Sequence, residues 1–412
     1  MFSRRLFLKS SAVAMFGVGS APAWLSRAVY ARDVPGQRKK ILIAIFQRGA
    51  VDGLNVVVPH GERAYYAARP TIAIPRPDGS ERAAVDLDGR FGLHPSLKAL
   101  KPLWDRRQLA IVEAVGSPDP TRSHFDAQDY MESGTPGLKA TYDGWLNRAM
   151  KPERQPSPLR AISLSPDLPR TLRGKNEALV IDNLNDFQVK DASMAATFES
   201  MYGSTPDQVL NGTGRETFDA IKLVQSIQKR AYTPANGAAY PKGRLGQSLQ
   251  QIARVIKADA GLEVAFTDVG GWDTHVNEVG AQPHVGQLAN LLRDFGDALA
   301  AFSQDMGDRM ADITVVTMSE FGRTVKENGN RGTDHGHANV MFVLGGDVRG
   351  GRVYGEWPGL ETEQLYEGRD VNVTTDFRAV LSELVMKQLG NRQVGSVFPG
   401  FAAPRYAGIL SA

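Results

Sequence analysis

The sequence predicts an α/β fold, in which a mostly parallel sheet is sandwiched by helices. Short, nearly continuous apolar runs recur along the chain, as in strands that are buried on both faces. Amphipathic helical patterns lie between these runs, and polar clusters follow several of them. Because strand and helix patterns alternate, they favour a single sheet with helices on both sides.

The first predicted strand spans residues 41–46 and ends at Gln47-Arg48-Gly49. Further strand-like apolar runs lie at 109–115, 262–267, 312–318 and 340–344. Two shorter runs, 161–164 and 178–181, lie within a segment rich in Pro, Ser, Asn and Gly, about 134–211. We expect that segment to be a loop-rich cap inserted near a site.

The clearest helical pattern lies between Val285 and Phe302, where seven apolar residues share one face. Further helices are predicted at 215–232, 245–259 and 375–389. These positions alternate with the strand patterns and complete the predicted layers.

Residues 1–31 are typical of a twin-arginine export signal. Arg4 and Arg5 precede a mildly apolar stretch, no acidic residue occurs before Asp33, and small residues up to Ala31 offer a cleavage site. An earlier cleavage site is Ala21-Pro22-Ala23. The alternative is a membrane-anchoring helix, but the stretch is short and interrupted by Gly and Pro. We therefore expect the twin-arginine translocase as a partner, and a periplasmic or secreted protein without a stable membrane span.

Composition limits the remaining domain, residues 32–412, to a few functional classes. Removal of residues 1–31, which hold four basic and no acidic residues, changes the formal net charge from +3 to −1. Such a chain has no basic footprint for nucleic acid. It also has no cysteine, which excludes iron–sulfur clusters, type 1 copper and cysteine-ligated zinc. Any metal must be held by oxygen and imidazole ligands.

Polar clusters follow three of the predicted strands, where ligands bind in open α/β sheets. Asp52 follows the first strand, although an Asx-turn is the simpler explanation for it alone. The other candidate metal ligands follow later strands: Asp273, His275, Glu320, Asp334, His335 and His337. Imidazole and carboxylate suit zinc or another divalent ion. The alternative is a set of loops whose histidines only cap neighbouring groups.

A fourth cluster, Arg122-Ser123-His124, follows the run 109–115 and precedes a predicted helix. The N-terminus of a helix stabilises anions such as phosphate or sulfate through its free N–H groups and its dipole. Ser123 is therefore either a nucleophile or a plain helix N-cap.

Together these clusters resemble the bacterial family catalogued as domain of unknown function 1501. The resemblance is carried by RGAVDGLN at 48–55, RSHF at 122–125, GWDTH at 271–275, SEFGRT at 319–324 and DH at 334–335. That family looks like a distant member of the alkaline phosphatase and sulfatase superfamily. The resemblance implies an alkaline-phosphatase-like fold and one or two divalent ions, zinc, manganese or calcium.

The resemblance also implies roles for the clustered residues. Ser123 would be the nucleophile, assisted by Arg122 and His124. The metal ligands would be Asp52, Asp273, His275, Glu320, Asp334, His335 and His337. This chain departs from the superfamily in its Asp273-x-His275 spacing, and Glu320 is not followed by a histidine.

Two functions follow from these observations. The first is an exported, metal-dependent hydrolase of phosphate or sulfate esters, with a small-molecule or polysaccharide ester as substrate. The second is a non-catalytic envelope protein that keeps the fold for binding. A redox cofactor is the weakest alternative, because the sequence has no cysteine and no dinucleotide-binding glycine pattern.

Overall fold

The computed structural model describes residues 39–139, 141–154, 156–184, 219–402 and 407–411. The predicted export signal, residues 1–31, lies outside these ranges. Along the described chain, none of the helices combines the length and apolar character needed to cross a membrane.

All seven predicted apolar runs form strands, and five further strands of two or three residues have no counterpart among the predicted runs. They are β1 (Ile41–Gln47), β2 (Val57–Val58), β3 (Val85–Asp86), β4 (Gly92–Leu93), β5 (Leu109–Gly116), β6 (Ala161–Leu164), β7 (Leu179–Val180), β8 (Val264–Val269), β9 (Ile313–Met318), β10 (Asn339–Gly345), β11 (Arg352–Tyr354) and β12 (Thr375–Asp376). Strands β2, β4 and β3, each of two residues, form a separate small antiparallel sheet.

Each predicted helical segment contains a helix, and several shorter helices have no counterpart among the predicted segments. They are α1 (Gly53–Val56), α2 (Arg63–Ala68), α3 (Lys101–Asp105), α4 (His124–Ser133), α5 (Trp145–Ala149), α6 (Arg244–Lys257), α7 (Gln287–Met306), α8 (Phe377–Lys387) and α9 (Val394–Val397). Short 3-10 helices span Pro95–Leu100, Arg170–Leu172, Gly307–Asp312 and Thr362–Gln364. Residues 219–228 are also helical, and the start of the helix predicted at 215–232 lies outside the described residues.

The main sheet has the strand order β11-β5-β10-β9-β1-β8-β6-β7, with β12 also paired to β5. Strand β1 runs parallel to β8 and β9, and β6 runs parallel to β8 and β7. Only β10 is antiparallel to its neighbours, β5 and β9. The predicted mostly parallel α/β sheet is therefore confirmed.

The alternation of side chains along β1 explains the helical layer on each face. Ile43 and Ile45 point into one hydrophobic core, which α6 and α7 complete with residues such as Phe295. Ala44 and Phe46 point into the other core, which α5 and α8 complete. Because β1 is central, both of its faces are buried and its sequence is apolar without interruption.

The segment predicted as a cap, about 134–211, belongs in part to the sheet. Strands β6 and β7 extend the sheet beyond β8, and α5 packs into one of its cores. Strand β6 is fully buried, whereas β7 is half-buried at the edge of the sheet. The described part of the segment is therefore an integral layer of the domain, and residues 185–218 lie outside the described ranges.

Candidate metal centre

One edge of the main sheet gathers the polar clusters of the sequence. Strands β1, β5, β8 and β9 run in the same direction, so their carboxyl ends meet at this edge. The antiparallel strand β10 starts at the same edge, which brings the preceding loop 333–338 to it. Five chain segments that are distant in sequence therefore converge at one place, as expected for the ligand-binding edge of an open α/β sheet.

The loops after β1 and β8 approach each other closely at Gly49. Its φ angle is +119°, and a Cβ atom added there would lie 2.6 Å from the backbone nitrogen of Asp273. Its own N–H donates to Glu320 Oε1 at 2.8 Å. Only glycine allows this backbone conformation and this close contact together. Gly49 therefore brings the Asp273 and Glu320 loops together.

Three imidazole rings meet at the centre of the edge. His335 Nε2 lies 2.9 Å from His124 Nε2 and 2.9 Å from His275 Nε2. Asp273 Oδ1 joins them, at 3.1 Å from His275 Nε2, 3.4 Å from His335 Nε2 and 3.6 Å from His124 Nε2. We call these four residues the histidine cluster. Within it, ligand atoms of His124, Asp273 and His335 all lie within 4.8 Å of one another.

The other nitrogen of each ring faces an oxygen. His124 Nδ1 is 2.7 Å from Glu320 Oε1, His275 Nδ1 is 3.1 Å from Asp334 Oδ1, and His335 Nδ1 is 2.9 Å from the carbonyl oxygen of Arg122. A carbonyl or carboxylate oxygen can only accept, so each Nδ1 carries the proton. Each neutral ring then directs its Nε2 lone pair into the cluster.

This arrangement fits a metal ion. Nε2 lone pairs that face one another at 2.9 Å repel unless a proton or a metal cation lies between them, and a metal ion can satisfy several such lone pairs at once. Ligands held about 2.0–2.1 Å from a tetrahedral zinc ion lie about 3.3–3.4 Å apart. The ligand atoms of His124, Asp273 and His335 are 2.9, 3.4 and 3.6 Å apart, which is close to that spacing. The Nδ1 contacts are of the kind that orients metal-bound histidines. Asp273 is 47% exposed, so solvent and a further ligand can reach this side.

Arg323 holds the loops that carry the cluster. Its side chain is fully buried, and its Nη2 donates to Asp273 Oδ1 at 2.6 Å. Its remaining donors reach the carbonyl oxygens of Ala50, Gly49, Thr333 and Trp272, and its Nη1 also lies 3.4 Å from His275 Nε2. One guanidinium therefore connects the loops after β1 and β8 with the loop before β10.

Glu320 supports the cluster from beneath. Its buried Oε1 accepts from His124 Nδ1, from the Gly49 N–H and from Gln128 Nε2, and Oε2 accepts from Ser319 Oγ. Burial acts to raise the pKa of this carboxyl, but the hydrogen bonds from His124 and Gln128 outweigh it and lower the pKa. Glu320 is thus an ionised partner that orients His124, and the structure places its oxygens behind that ring.

The pKa values of the cluster reflect the same contacts. The hydrogen bond to Glu320 raises the pKa of His124. Burial lowers the pKa of His335, and the hydrogen bond to the Arg122 carbonyl oxygen only partly opposes this effect. Burial acts to raise the pKa of Asp273, but Arg323 lowers it through a hydrogen bond and its charge. Asp273 is therefore available as an anionic ligand.

The structure gives Asp52 a different partner from the predicted metal. Both of its oxygens accept from Arg69, at 2.5 and 2.9 Å, and both side chains are buried. A carboxylate bound by a guanidinium in this bidentate manner is committed to an ion pair. Burial and the negative charge of Asp52 raise the pKa of the neighbouring Glu278 well above its usual range. Asp52 is therefore placed in a buried network next to the centre.

Two other predicted metal ligands, Asp334 and His337, do not belong to the histidine cluster. Asp334 contacts the far nitrogen of His275 and accepts from Asn328 Nδ2 at 3.1 Å, which gives it an orienting position. His337 is buried, with Nε2 3.1 Å from the carbonyl oxygen of Ser117 and its ring against Tyr366. His335 and His337 are only two residues apart, but the structure places their side chains in different environments, and only His335 belongs to the histidine cluster.

The predicted catalytic residues precede and begin α4. Ser123 is the N-cap of this helix, and its Oγ accepts from the Asp126 N–H at 3.5 Å. The Arg122 guanidinium donates to Asp370 and Glu367, while its backbone carbonyl holds His335. His124, predicted as a catalytic group, instead belongs to the histidine cluster.

Sequence reasoning did not single out Arg323, Glu278 or Arg69. Arg323 lies within the SEFGRT string that carries the family resemblance, and this was its only signal. Glu278 and Arg69 lie outside the quoted strings, and isolated charged residues ordinarily occupy the surface. Only the fold reveals that both are buried.

Comparisons with known proteins agree with the resemblance. The profile described as "Protein of unknown function (DUF1501)" matches residues 39–394. The fold and its polar edge define an α/β protein with a clustered imidazole–carboxylate site. The chain belongs to the DUF1501 family, as the sequence resemblance predicted. Among curated proteins, no sequence matches it significantly.

Two solved structures are similar to the chain at 10% identity. One is the lipoteichoic acid synthase LtaP from Listeria monocytogenes, with a TM-score of 0.32, covering 86% of this chain and 72% of that chain. The other is the PsFucS1 sulfatase from Pseudoalteromonas sp., with a TM-score of 0.41, covering 95% of this chain and 76% of that chain.

Proposed function

We propose that this protein is an exported, metal-dependent hydrolase of phosphate or sulfate esters. The observation that carries the proposal is the convergence of three imidazole Nε2 atoms on Asp273 Oδ1, each ring fixed by an oxygen at Nδ1. His124, Asp273, His275 and His335 would hold a divalent ion. Such an ion acts as a Lewis acid on the ester group.

The charge of the centre supports an anionic substrate. The side chains around the cluster include the cation Arg323 and the carboxylates of Asp273, Glu320 and Asp334, which leave a net negative charge when the rings are neutral. A dication would offset this charge and would itself attract an anionic oxygen of the ester. Zinc is the ion that three imidazoles and one carboxylate favour over calcium or magnesium, which prefer oxygen ligands.

Ser123 is the proposed nucleophile, with water bound at the centre as the competing attacking group. In the N-cap contact the Ser123 oxygen accepts, so its own proton remains available for transfer. The serine also directly precedes His124 and the first turn of α4, where free N–H groups favour anionic oxygens.

Ser123→Ala is expected to lower turnover about 10²-fold or more and to leave the metal content unchanged, because the variant loses the proposed nucleophile and keeps every proposed metal ligand. Steady-state hydrolysis and elemental analysis of the same sample measure both quantities. If Ser123 is only a helix cap, activity per folded molecule will be retained and stability will fall by about 1 kcal/mol. Ser396→Ala in α9 provides a control for replacing a serine elsewhere in the fold.

The proposal is tested by a panel of chromogenic phosphate and sulfate esters in the presence of zinc, manganese or calcium. We expect turnover with at least one ester class and loss of turnover in the presence of a chelator. Metal binding without hydrolysis of any ester would contradict the enzyme and favour the second candidate.

The second candidate is a non-catalytic envelope protein that binds an anionic partner. The observation in its favour is that the Arg122 guanidinium is held by Asp370 and Glu367 and is not free to bind a substrate oxygen. A polysaccharide ester would then be a ligand that is not hydrolysed. Equilibrium binding without release of phosphate or sulfate would distinguish this function.

We also propose that residues 1–31 direct export by the twin-arginine route. Replacing Arg4 and Arg5 by lysine is expected to leave precursor in the cytoplasm, because the translocase reads the arginine pair. Cell fractionation measures the distribution, and Arg27→Lys, outside the pair, is the matched control. Unchanged export of the Arg4/Arg5 variant would contradict the proposed route.

A further inference from the structure

Glu278 is a fully buried carboxyl group beneath the histidine cluster. Its Oε2 accepts from Thr274 Oγ1 at 3.1 Å and from Thr333 Oγ1 at 3.0 Å. Its Oε1 accepts from Asn55 Nδ2 at 3.2 Å. Three segments that are distant in sequence therefore meet on one carboxyl group.

The two threonines stand next to residues of the cluster. Thr274 lies between Asp273 and His275, and Thr333 comes two residues before His335. The backbone N–H of Thr333 also donates to the carbonyl oxygen of Thr274 at 3.3 Å. A single oxygen of Glu278 thus fixes the separation of the loop that carries Asp273 and His275 from the loop that carries His335.

The buried ion pair of Asp52 and Arg69 extends this support. Arg69 donates to the carbonyl oxygens of Val325 and Thr324 at 2.9 Å, besides its two bonds to Asp52. These bonds connect the loop after β1 to the segment after β9. Asn55, in the short helix α1 that follows Asp52, connects this network to Glu278.

We propose that Glu278 is a positioning residue of the metal centre, which sets the spacing of His275 and His335 through Thr274 and Thr333. This inference rests on the metal centre of the proposed function. Glu278 does not contact the cluster atoms themselves, and it acts through the two hydroxyl groups.

The chemistry of the contacts explains why this position needs a carboxyl group. Two hydroxyl donors on different loops can share one carboxyl oxygen because that oxygen has more than one lone pair. Groups that orient metal ligands from outside the coordination sphere typically change metal affinity about 10- to 100-fold when they are removed. A role in folding alone would change stability and leave the affinity of the folded protein unchanged.

Zinc titration calorimetry of the chelator-treated full chain tests the inference. We expect Glu278→Ala to weaken zinc binding about 10- to 100-fold. Glu278→Gln should recover much of this loss, because its carbonyl oxygen can still accept from the two threonines. Thr333→Val, which keeps the shape and removes one of the two hydroxyl donors, should weaken binding by a smaller factor.

Glu383 provides the matched control. It is also a fully buried glutamate, but it accepts from the Gly408 and Leu410 N–H groups at the C-terminal end of the domain. Glu383→Gln is expected to lower the melting temperature and to keep the zinc affinity.

The outcomes separate the inference from the proposed function. If the unmodified protein binds zinc and folded Glu278→Ala binds it equally well, the positioning role is overturned and the metal centre stands. If the unmodified protein binds no divalent ion, both are overturned. If Glu278→Ala does not fold, Thr333→Val decides, and an unchanged zinc affinity in that variant overturns the positioning role.

Discussion

Replacement of His335 by alanine is expected to abolish stoichiometric cation binding and to lower ester hydrolysis by at least about 10³-fold. His335 Nε2 is the atom that contacts both other imidazoles of the cluster, at 2.9 Å each. Its loss leaves His124 and His275 without their common neighbour and removes a nitrogen ligand from the centre. Elemental analysis and steady-state hydrolysis of the purified variant measure the two effects.

His60→Ala is the matched control for this prediction. His60 likewise contacts a carboxylate, with Nε2 3.0 Å from Asp86 Oδ1, but it lies beside the small antiparallel sheet. We expect this variant to keep its metal content and its turnover. Full metal content in the His335 variant would contradict the assignment of the cluster.

Replacement of Arg323 by methionine is expected to lower the free energy of unfolding by about 3–5 kcal/mol. The side chain is fully buried, and its loss leaves several carbonyl oxygens and the Asp273 carboxylate without their donor. Arg323→Lys should recover only part of the loss, because an ammonium group cannot reproduce the planar set of donors. Denaturant unfolding followed by circular dichroism measures the change.

The exposed ion pair of Arg309 and Asp259 offers a control for the loss of an arginine. Arg309 donates to Asp259 at 2.7 Å, and both side chains are partly exposed. Arg309→Met is expected to cost less than about 1 kcal/mol, because water and salt screen such pairs. A similarly small effect for Arg323→Met would show that its hydrogen bonds do not hold the loops together.

The fold was largely predictable because its signal is local. The apolar run that forms β1 and the amphipathic pattern that forms α7 are visible in the sequence and agree with the observed elements. The segment 161–180 was assigned to a cap because its strands are short and separated by loop residues. Its pairing with β8 is a long-range contact, which no local pattern specifies.

The sequence predicted most of the residues that meet at the candidate site, but it did not predict which of them face the metal position and which only support the others. Placement after the strands brought Asp273, His275 and His335 together, and the structure adds His124 to them. Asp52 also follows a strand, but its partner Arg69 comes from α2 and its flanking turn, so the sequence alone could not separate an ion pair from a metal ligand. Buried charges find partners through tertiary contacts, which position in sequence does not reveal.

The most direct test of the metal centre is anomalous X-ray diffraction at the zinc absorption edge from crystals of the protein grown with zinc. The account predicts one strong peak among His124 Nε2, His275 Nε2, His335 Nε2 and Asp273 Oδ1, at about 2.0–2.2 Å from its ligands. A peak bound to Asp52 or His337 in place of these atoms, or no peak at the histidine cluster, would contradict it.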